Sequence, residues 1–419
     1  MLNRINRRNP SLSIGFFAIL FIGAFSTSFG QKVLKDIPVY TFLDSTLNKI
    51  SYPSDESVLN GFFTKLDTLI KEDKGKINIV HMGGSHIQAD VYSNQLRTNL
   101  LNFHPNLVGQ RGLIFPFSAA GTNNPRNYQT TFKGIWETTK NTQKELTMPL
   151  GLSGISITTR DSLPEISISL RQPENYRLNF NRVRVIGKKQ NYQAVIYTDS
   201  LHAYEAVYDS ISSSFLYTFD SLQEQFTLKL KPLDSIRSFT IEGILLENDT
   251  NGVTYHSIGV NGASTNSYLK CLNLERDLTL IQPDLVILSI GINDASGEEF
   301  DVEKFKANYR LLIQRIRSVA PQTSILFTTN NDSYRKKGRK YYVNTNGLLA
   351  REAFFELAQT EHAAVWDLFS IMGGLHAMKE WETAGLAQKD KIHFNAEGYI
   401  IIGDLLFNAL ISDYLYHYF

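Results

Sequence analysis

The apolar positions along the chain change period several times, and each change marks an element. Val58, Leu59, Phe62, Phe63, Leu66 and Leu69 fall on one stripe, which predicts a packing helix over 57–70. Ile77 and Ile79 then run as a strand into Gly83-Gly84-Ser85-His86, after which Ile87, Val91, Leu96 and Leu100 recur at helical spacing. Strand, glycine-rich loop and helix thus follow one another over 77–103, with the serine on the join.

Between about 112 and 249 the texture becomes short alternating runs, among them Arg182 to Val185, Gln193 to Tyr197 and Gln225 to Leu230, separated by Asp, Ser, Asn and Gly clusters. Short strands at regular spacing predict a β-sandwich or jelly-roll. From Val253 the pattern returns to longer elements. Asp284 to Ile290 is a nearly unbroken apolar strand, as a parallel strand buried on both faces requires. Val302, Phe305, Tyr309, Leu312, Ile313, Ile316 and Val319 share one helical face. Strands over 324–329 and 363–369, with helices near 347–361 and 395–414, continue the alternation. The expected architecture is α/β: a three-layer sheet with helices on both faces, interrupted by an inserted all-β unit. The expected division is 1–30 leader, 31–76 N-terminal helical segment, 77–111 and 253–419 the two parts of the α/β domain, and 112–252 the β-insertion.

Composition changes this picture at one end only. With 419 residues, 42% hydrophobic and 20% charged, the chain has ordinary globular make-up. At the N-terminus, however, Arg4, Arg7 and Arg8 precede an apolar run from Ile14 to Phe25, and the small residues Ser28 and Gly30 stand just before Gln31. This is the pattern of an export signal, so the expectation is a periplasmic or secreted protein with no stable membrane insertion after cleavage. Loss of residues 1–30 removes three arginines and no acid, taking the formal charge from +1 to −2. That balance gives no electrostatic case for nucleic acid. A single cysteine, Cys271, excludes an internal disulfide and a cysteine-based zinc site.

Candidate chemistry lies after the strands, where open parallel sheets collect function. Ser85 would stand in the first turn of the helix after the first strand, where free N–H groups and the positive dipole end favour an oxyanion. Alone, Gly-Gly-Ser before a helix is more simply a turn with a capping serine, and His86 beside it a structural residue. Ser257 to Thr265 ends another strand with two glycines, of which Gly262 could offer its N–H. Gly291-Ile-Asn293-Asp294 follows the buried strand; the Asn293 amide can donate to a negative oxygen, or the pair can form an Asx-turn. Asp390-x-x-His393 sets a carboxylate one turn before a histidine, so that it can accept from Nδ1–H and leave Nε2 facing a hydroxyl. Together the four segments supply a nucleophile, oxyanion donors and an Asp-His pair, the parts of an acyl-transfer site.

Gly-Gly-Ser85-His, Gly262, Gly-x-Asn293-Asp and Asp390-x-x-His393 resemble the four blocks of the SGNH, or GDSL-type, hydrolases. The resemblance implies a flavodoxin-like three-layer fold and a serine esterase that needs no cofactor or metal. It implies Ser85 as nucleophile, His393 as general base and Asp390 as its orienter, with the Ser85 N–H, Gly262 N–H and Asn293 side chain as oxyanion hole. One departure is Gly84, where that family has an aspartate. Gln95-Leu-Arg97, Gly112 to Pro116, Trp136 and the inserted β-unit further resemble the peptidoglycan O-acetylesterases, in which the insertion is similar to a carbohydrate-binding module. The implied partner is an O-acetylated glycan, peptidoglycan first. Two other readings use the same parts: an O-acetyltransferase, in which a sugar hydroxyl replaces water, and a glycan-binding protein with an impaired core, which Gly84 favours. Trp136, Tyr192 and Tyr197 are candidate sugar-stacking residues of the insertion, and more simply core and surface aromatics of a sandwich. The basic run Arg335 to Lys340, followed by Tyr341 and Tyr342, is expected as a solvated loop near the mouth of the site.

Overall fold

The computed structural model describes residues 33–173 and 176–418. The export-signal segment and the expected cleavage position before Gln31 lie outside the described residues.

Five parallel strands form the centre of the α/β domain: β1 (Lys76–Gly83), β2 (Gly252–Gly259), β3 (Leu285–Ser289), β4 (Ser324–Thr328) and β5 (Ala364–Trp366). They lie in the order β5-β4-β3-β1-β2, the flavodoxin-like arrangement, with Ile50–Ser51 added antiparallel on β5 and Gly109–Gln110 parallel on β2. The segment before β1 therefore contributes an edge strand as well as the helix α1 (Asn60–Glu72), whose Phe62, Phe63, Leu66 and Leu69 are buried. Val286, Ile287 and Leu288 of β3 are wholly buried, as an inner parallel strand demands.

The strand order reverses direction at β1. Right-handed crossovers then place the helices after β1 on one face and those after β2, β3 and β4 on the other. On the first face α2 (Ser85–Gln88) and α3 (Tyr92–Leu101) follow β1. On the second lie α4 (Val302–Val319) and α5 (Asn346–Thr360). The last helix, α6 (Ala396–Tyr418), packs against α3. It is long and apolar enough to cross a membrane, but two-thirds of its most apolar stretch (67%) is buried in the protein.

The helix expected from Ile87 to Leu100 is in fact two, broken at Asp90, whose φ is +46°. The cause is a buried charge cluster. The Asp90 carboxylate accepts from Arg111 at 2.9 Å, Ser93 at 2.6 Å and Asn127 at 2.6 Å, with Arg97 at 3.4 Å. Burial raises its pKa, but the two guanidiniums outweigh that and hold it far below the usual carboxylate range. Arg111 and Asn127 come from beyond the α/β strand, so helical periodicity could not reveal the break.

From Gly112 to Glu247 the pairing is wholly antiparallel. One sheet runs Ala203–Glu205, Tyr192–Tyr197, Gln225–Pro232, Glu165–Leu170, Tyr128–Lys133; the other carries Val207–Asp209, Ser214–Gln223, Phe180–Gln190, Ser238–Glu247, Ile155–Thr159 and Glu137–Lys140, with Gly112–Ile114 also on Ser238–Glu247. Ile166, Ile168, Ile196, Leu228, Val183, Val185, Phe239 and Ile241 are buried, which makes this an inserted all-β unit whose apolar interior is continuous with that of the α/β domain. Polar ties join it to the α/β domain. Asp277 accepts from the Leu152 N–H at 2.8 Å, and buried Glu242 takes Arg276 at 2.9 Å and Asn273 at 2.7 Å.

Candidate functional site

The reversal of strand order opens a crevice at the carboxyl ends of β1, β2 and β3. β1 ends at Gly83, and Ser85 heads α2, so its N–H has no intrahelical acceptor. The Ser85 Oγ lies 2.7 Å from His393 Nε2. On the other side of the ring, His393 Nδ1 lies 2.7 Å from an Asp390 carboxylate oxygen. The other oxygen of Asp390 accepts the N–H groups of Ile392 and His393, each at 3.0 Å. The single carboxylate thus fixes both the ring and the backbone that carries it. Burial pushes the Asp390 carboxyl up, but the His393 ring and these two N–H groups hold it down at about 2, so it is ionised at neutral pH. Between them Lys391 is left-handed, φ +59°, a strained turn of the kind found at functional sites.

The β2 loop arrives next to this serine. Gly259 passes so close that a Cβ there would meet the Gln88 nitrogen at 2.1 Å, which only glycine allows. Gln88 Oε1 accepts the Asn261 N–H at 2.7 Å and so stitches α2 to the loop that carries Gly262, whose φ is +81°. From the β3 loop, the Asn293 amide donates to the Ala263 carbonyl at 2.9 Å, leaving its second N–H. A Cβ on Gly84 would lie 3.1 Å from that same Asn293 nitrogen. The absence of a side chain at 84 therefore leaves room for Asn293, and a backbone carbonyl orients the amide.

Ser85, Gly262, Asn293, Asp390 and His393 are brought to one place. Asp294 does not touch the dyad; its buried carboxylate accepts from Thr265 Oγ1 at 2.6 Å and Thr265 N at 3.1 Å, tying the β3 loop to the β2 loop. His86 lies with its ring centroid 5.0 Å from that of His393 and its Nδ1 2.7 Å from the Tyr399 hydroxyl. Burial, with His393 beside it, lowers its pKa to about 3, so it is a neutral packing partner. Gln88, Asp294 and Asp90 were not foreseen as site supports. An aspartate after Asn293 is the only one of these signals local enough to find.

Among the described residues no three His, Cys, Asp or Glu side chains converge as metal ligands would. Cys271 is buried, which pushes its thiol up to about 12 and leaves it unreactive at neutral pH. Of the aromatic candidates in the insertion, Tyr192 is core, 1% exposed. Trp136 is half-buried and donates to the Lys133 carbonyl at 3.0 Å. Tyr197 lines an open groove on the outer face of the five-stranded sheet, with Lys229 Nζ 4.8 Å from its ring centroid.

No curated protein matches the chain. Among solved structures, one described as a peptidoglycan O-acetylesterase in action is similar at 21% identity and TM-score 0.71, over 87% of this chain and 98% of that one. An acetyl xylan esterase, AlAXEase, is similar at 19% identity and TM-score 0.31, over 38% of this chain and 81% of that one. A lipase/acylhydrolase from Enterococcus faecalis is similar at 24% identity and TM-score 0.30, over 39% and 77% of the two chains. The first of these shows the same fold, insertion included. Residues 243–401, which carry β2 through the start of α6, match the model of the GDSL-like lipase/acylhydrolase family. The α/β domain thus has the SGNH hydrolase fold, and its second part, residues 243–401, is similar to the GDSL-like lipase/acylhydrolase family of ester hydrolases.

Proposed function

We propose that the protein is an exported serine esterase that removes O-acetyl groups from a carbohydrate, peptidoglycan above all. The observation that carries this is the unbroken relay Ser85 Oγ to His393 Nε2 and His393 Nδ1 to Asp390, each step 2.7 Å, with free donors beside the serine. His393 takes the Ser85 proton as Oγ bonds to the acetyl carbon. The carbonyl electron pair becomes an oxyanion facing the Ser85 N–H, the Gly262 N–H and the Asn293 amide. Its collapse expels the sugar oxygen, which takes the proton back from His393. Water then attacks the acetyl-serine by the same route and acetate leaves. Neither half-reaction calls on a cofactor.

The O-acetyl group and peptidoglycan as its bearer rest on the description of the similar solved structure, and export on the residues ahead of Gln31. The test is acetate release by the mature protein from O-acetylated peptidoglycan beside acetylated xylan, with Ser85→Ala as control. Release from peptidoglycan that the variant lacks is the expected result. Equal release by both proteins overturns the site assignment, and preference for xylan overturns the substrate.

A further inference from the structure

A cleft of about 810 Å³ opens beside Asn293. Its near wall is Ile292, Asn293 and Ile392, the last adjacent to His393; its far wall is the hairpin Tyr334–Lys337 and Lys340–Val343. This is the basic run that the sequence places in a solvated loop. It is instead ordered and fastened to both site loops. The Tyr334 N–H donates to the Lys391 carbonyl at 3.1 Å, between the two dyad residues Asp390 and His393. Arg335 Nη1 donates to the Gly297 carbonyl at 2.8 Å, and Asn344 to the Ala295 carbonyl at 2.9 Å, just beyond Asn293 and Asp294. A flexible surface turn needs no such anchoring.

Charge is the second observation. The lining carries Arg335, Lys336 and Lys337 against one acid, Glu298. Glu298 engages Lys337 at 3.1 Å, and both ends of that pair are exposed. Among the described residues neither Arg335 nor Lys336 is in direct ion-pair contact with a carboxylate, although the Arg335 charge helps Lys337 to lower the Glu298 pKa; Lys336 lies over the Tyr341 ring, 5.9 Å from its centroid. Three consecutive cations repel one another, and neutral acetylated sugars gain nothing from them. An anionic substrate does, and the planar guanidinium of Arg335, already aimed by Gly297, is the donor best suited to a carboxylate. Opposite Arg335 in register stands Tyr342, half exposed, an apolar face for a sugar ring.

From this we infer that the hairpin is a carboxylate-reading subsite: the substrate bears a carboxylate on the acetylated sugar or its neighbour, and Arg335, with Lys336 and Lys337, pairs with it. The inference rests on the esterase reading and narrows its substrate class. The lactyl carboxylate of a muramic acid freed of its stem peptide and the carboxylate of a uronic acid share this chemistry.

The experiment compares kcat/KM for acetate release from an O-acetylated muramic-acid oligosaccharide with the carboxylate free or converted to the amide, and from an acetylated uronate oligosaccharide with its amide. The wild-type protein should prefer the free acid by roughly tenfold, mostly through KM, and the preference should shrink as salt rises. With Arg335→Gln, Lys336→Gln and Lys337→Gln together, the acid-to-amide ratio should fall close to one; being a ratio, it is insensitive to the fraction of variant that folds. Preference confined to the muramic or to the uronate pair supports the subsite and identifies its source. Wild-type turnover of every substrate with no acid preference, or a preference that survives the triple substitution, overturns the subsite alone. Absence of acetate release from all four overturns the esterase reading and the subsite with it.

Discussion

The α/β domain and the β-sandwich both bury ordinary apolar cores, yet they place their polar residues differently. In the α/β domain many polar side chains are buried and convergent: His81 sits inside β1 at 2.6 Å from both the Tyr255 hydroxyl on β2 and the Ser289 hydroxyl on β3, and Thr328 on β4 reaches Ser289 at 2.7 Å. In the sandwich most are spread over outward strand faces, where Gln129, Thr131, Ser167, Ser169, Gln225 and Thr227 line a shallow groove. A buried polar network fixes register and rigid geometry because a one-residue slip would orphan several groups at once. A spread polar face fixes nothing but solubility and the chance of many weak contacts. The first design suits chemistry at one atom; the second suits a surface.

The largest effects should therefore follow from breaking the convergent region. Ser85→Ala should lower kcat on an activated acetyl ester by roughly 10⁴ to 10⁶ with the fold intact, as measured by turnover and thermal melting. Asp390→Asn should cost roughly 10⁴, because the amide cannot orient the His393 ring as the carboxylate does. Its stability signature has a definite sign. A carboxyl held at about 2 in the folded state stabilises the protein above the unfolded value near 4 and loses that contribution as pH falls towards 2. The stability gap between wild type and Asp390→Asn should be constant above about pH 5 and close below pH 4; a gap that persists at the acid end breaks the assignment. Asn293→Ala should cost less, roughly 10² to 10³ in kcat, since two backbone donors remain.

Acid sharpens the comparison between whole regions. His81, His86 and His256 lie in β1, α2 and β2, and burial is the main cause that lowers each pKa to about 3. A histidine with a depressed folded pKa stabilises the fold above its unfolded value near 6.5 and loses that contribution as pH falls towards 3, by up to about 1.4 kcal/mol per unit for each ring. The sandwich has His202 alone, exposed beside Asp199. Hydrogen exchange at descending pH should therefore show β1 and β2 amides losing protection before those of Phe180–Gln190 and Ser238–Glu247. The reverse order would remove the distinction.

Where the fold was legible in the sequence, the cause was local. Asp284 to Ile290 announces a doubly buried strand by composition alone, and the loops of Ser85, Gly262 and Asn293 were found because each follows a strand; Asp390-x-x-His393, which follows the helix Ala377–Thr383, was found by its own spacing. What stayed hidden depends on partners far along the chain. Asp90 breaks a helix for the sake of Arg111 and Asn127, Gln88 braces a loop that begins after β2, and the basic run at 335–340 becomes an ordered wall only because Lys391 and Gly297 receive it. Gly84 shows the same limit. As a departure from a motif it suggests a damaged site, but beside Asn293 it is the room the oxyanion donor occupies.

The smallest predicted effect tests the sandwich face itself. Tyr192 and Tyr197 sit on one strand five residues apart, and nothing in the sequence ranks them as core or surface. Tyr192 is 1% exposed and its hydroxyl donates to the Asp161 carbonyl, whereas Tyr197 faces the groove and meets Lys229. Tyr192→Ala should cost about 3 to 5 kcal/mol, a core cavity plus a lost hydrogen bond to a carbonyl that Arg237 still reaches at 3.2 Å. Tyr197→Ala should cost under about 1 kcal/mol, the worth of an exposed cation–π contact. Turnover of a small soluble acetyl ester should then change by less than about twofold in Tyr197→Ala, since its groove is separate from the Ser85 crevice and a surface substitution of this kind leaves the core as it was. Denaturant melts of the two variants decide the point: equal losses would place Tyr197 in the core and erase the contrast between a region built to converge and a region built to present a face.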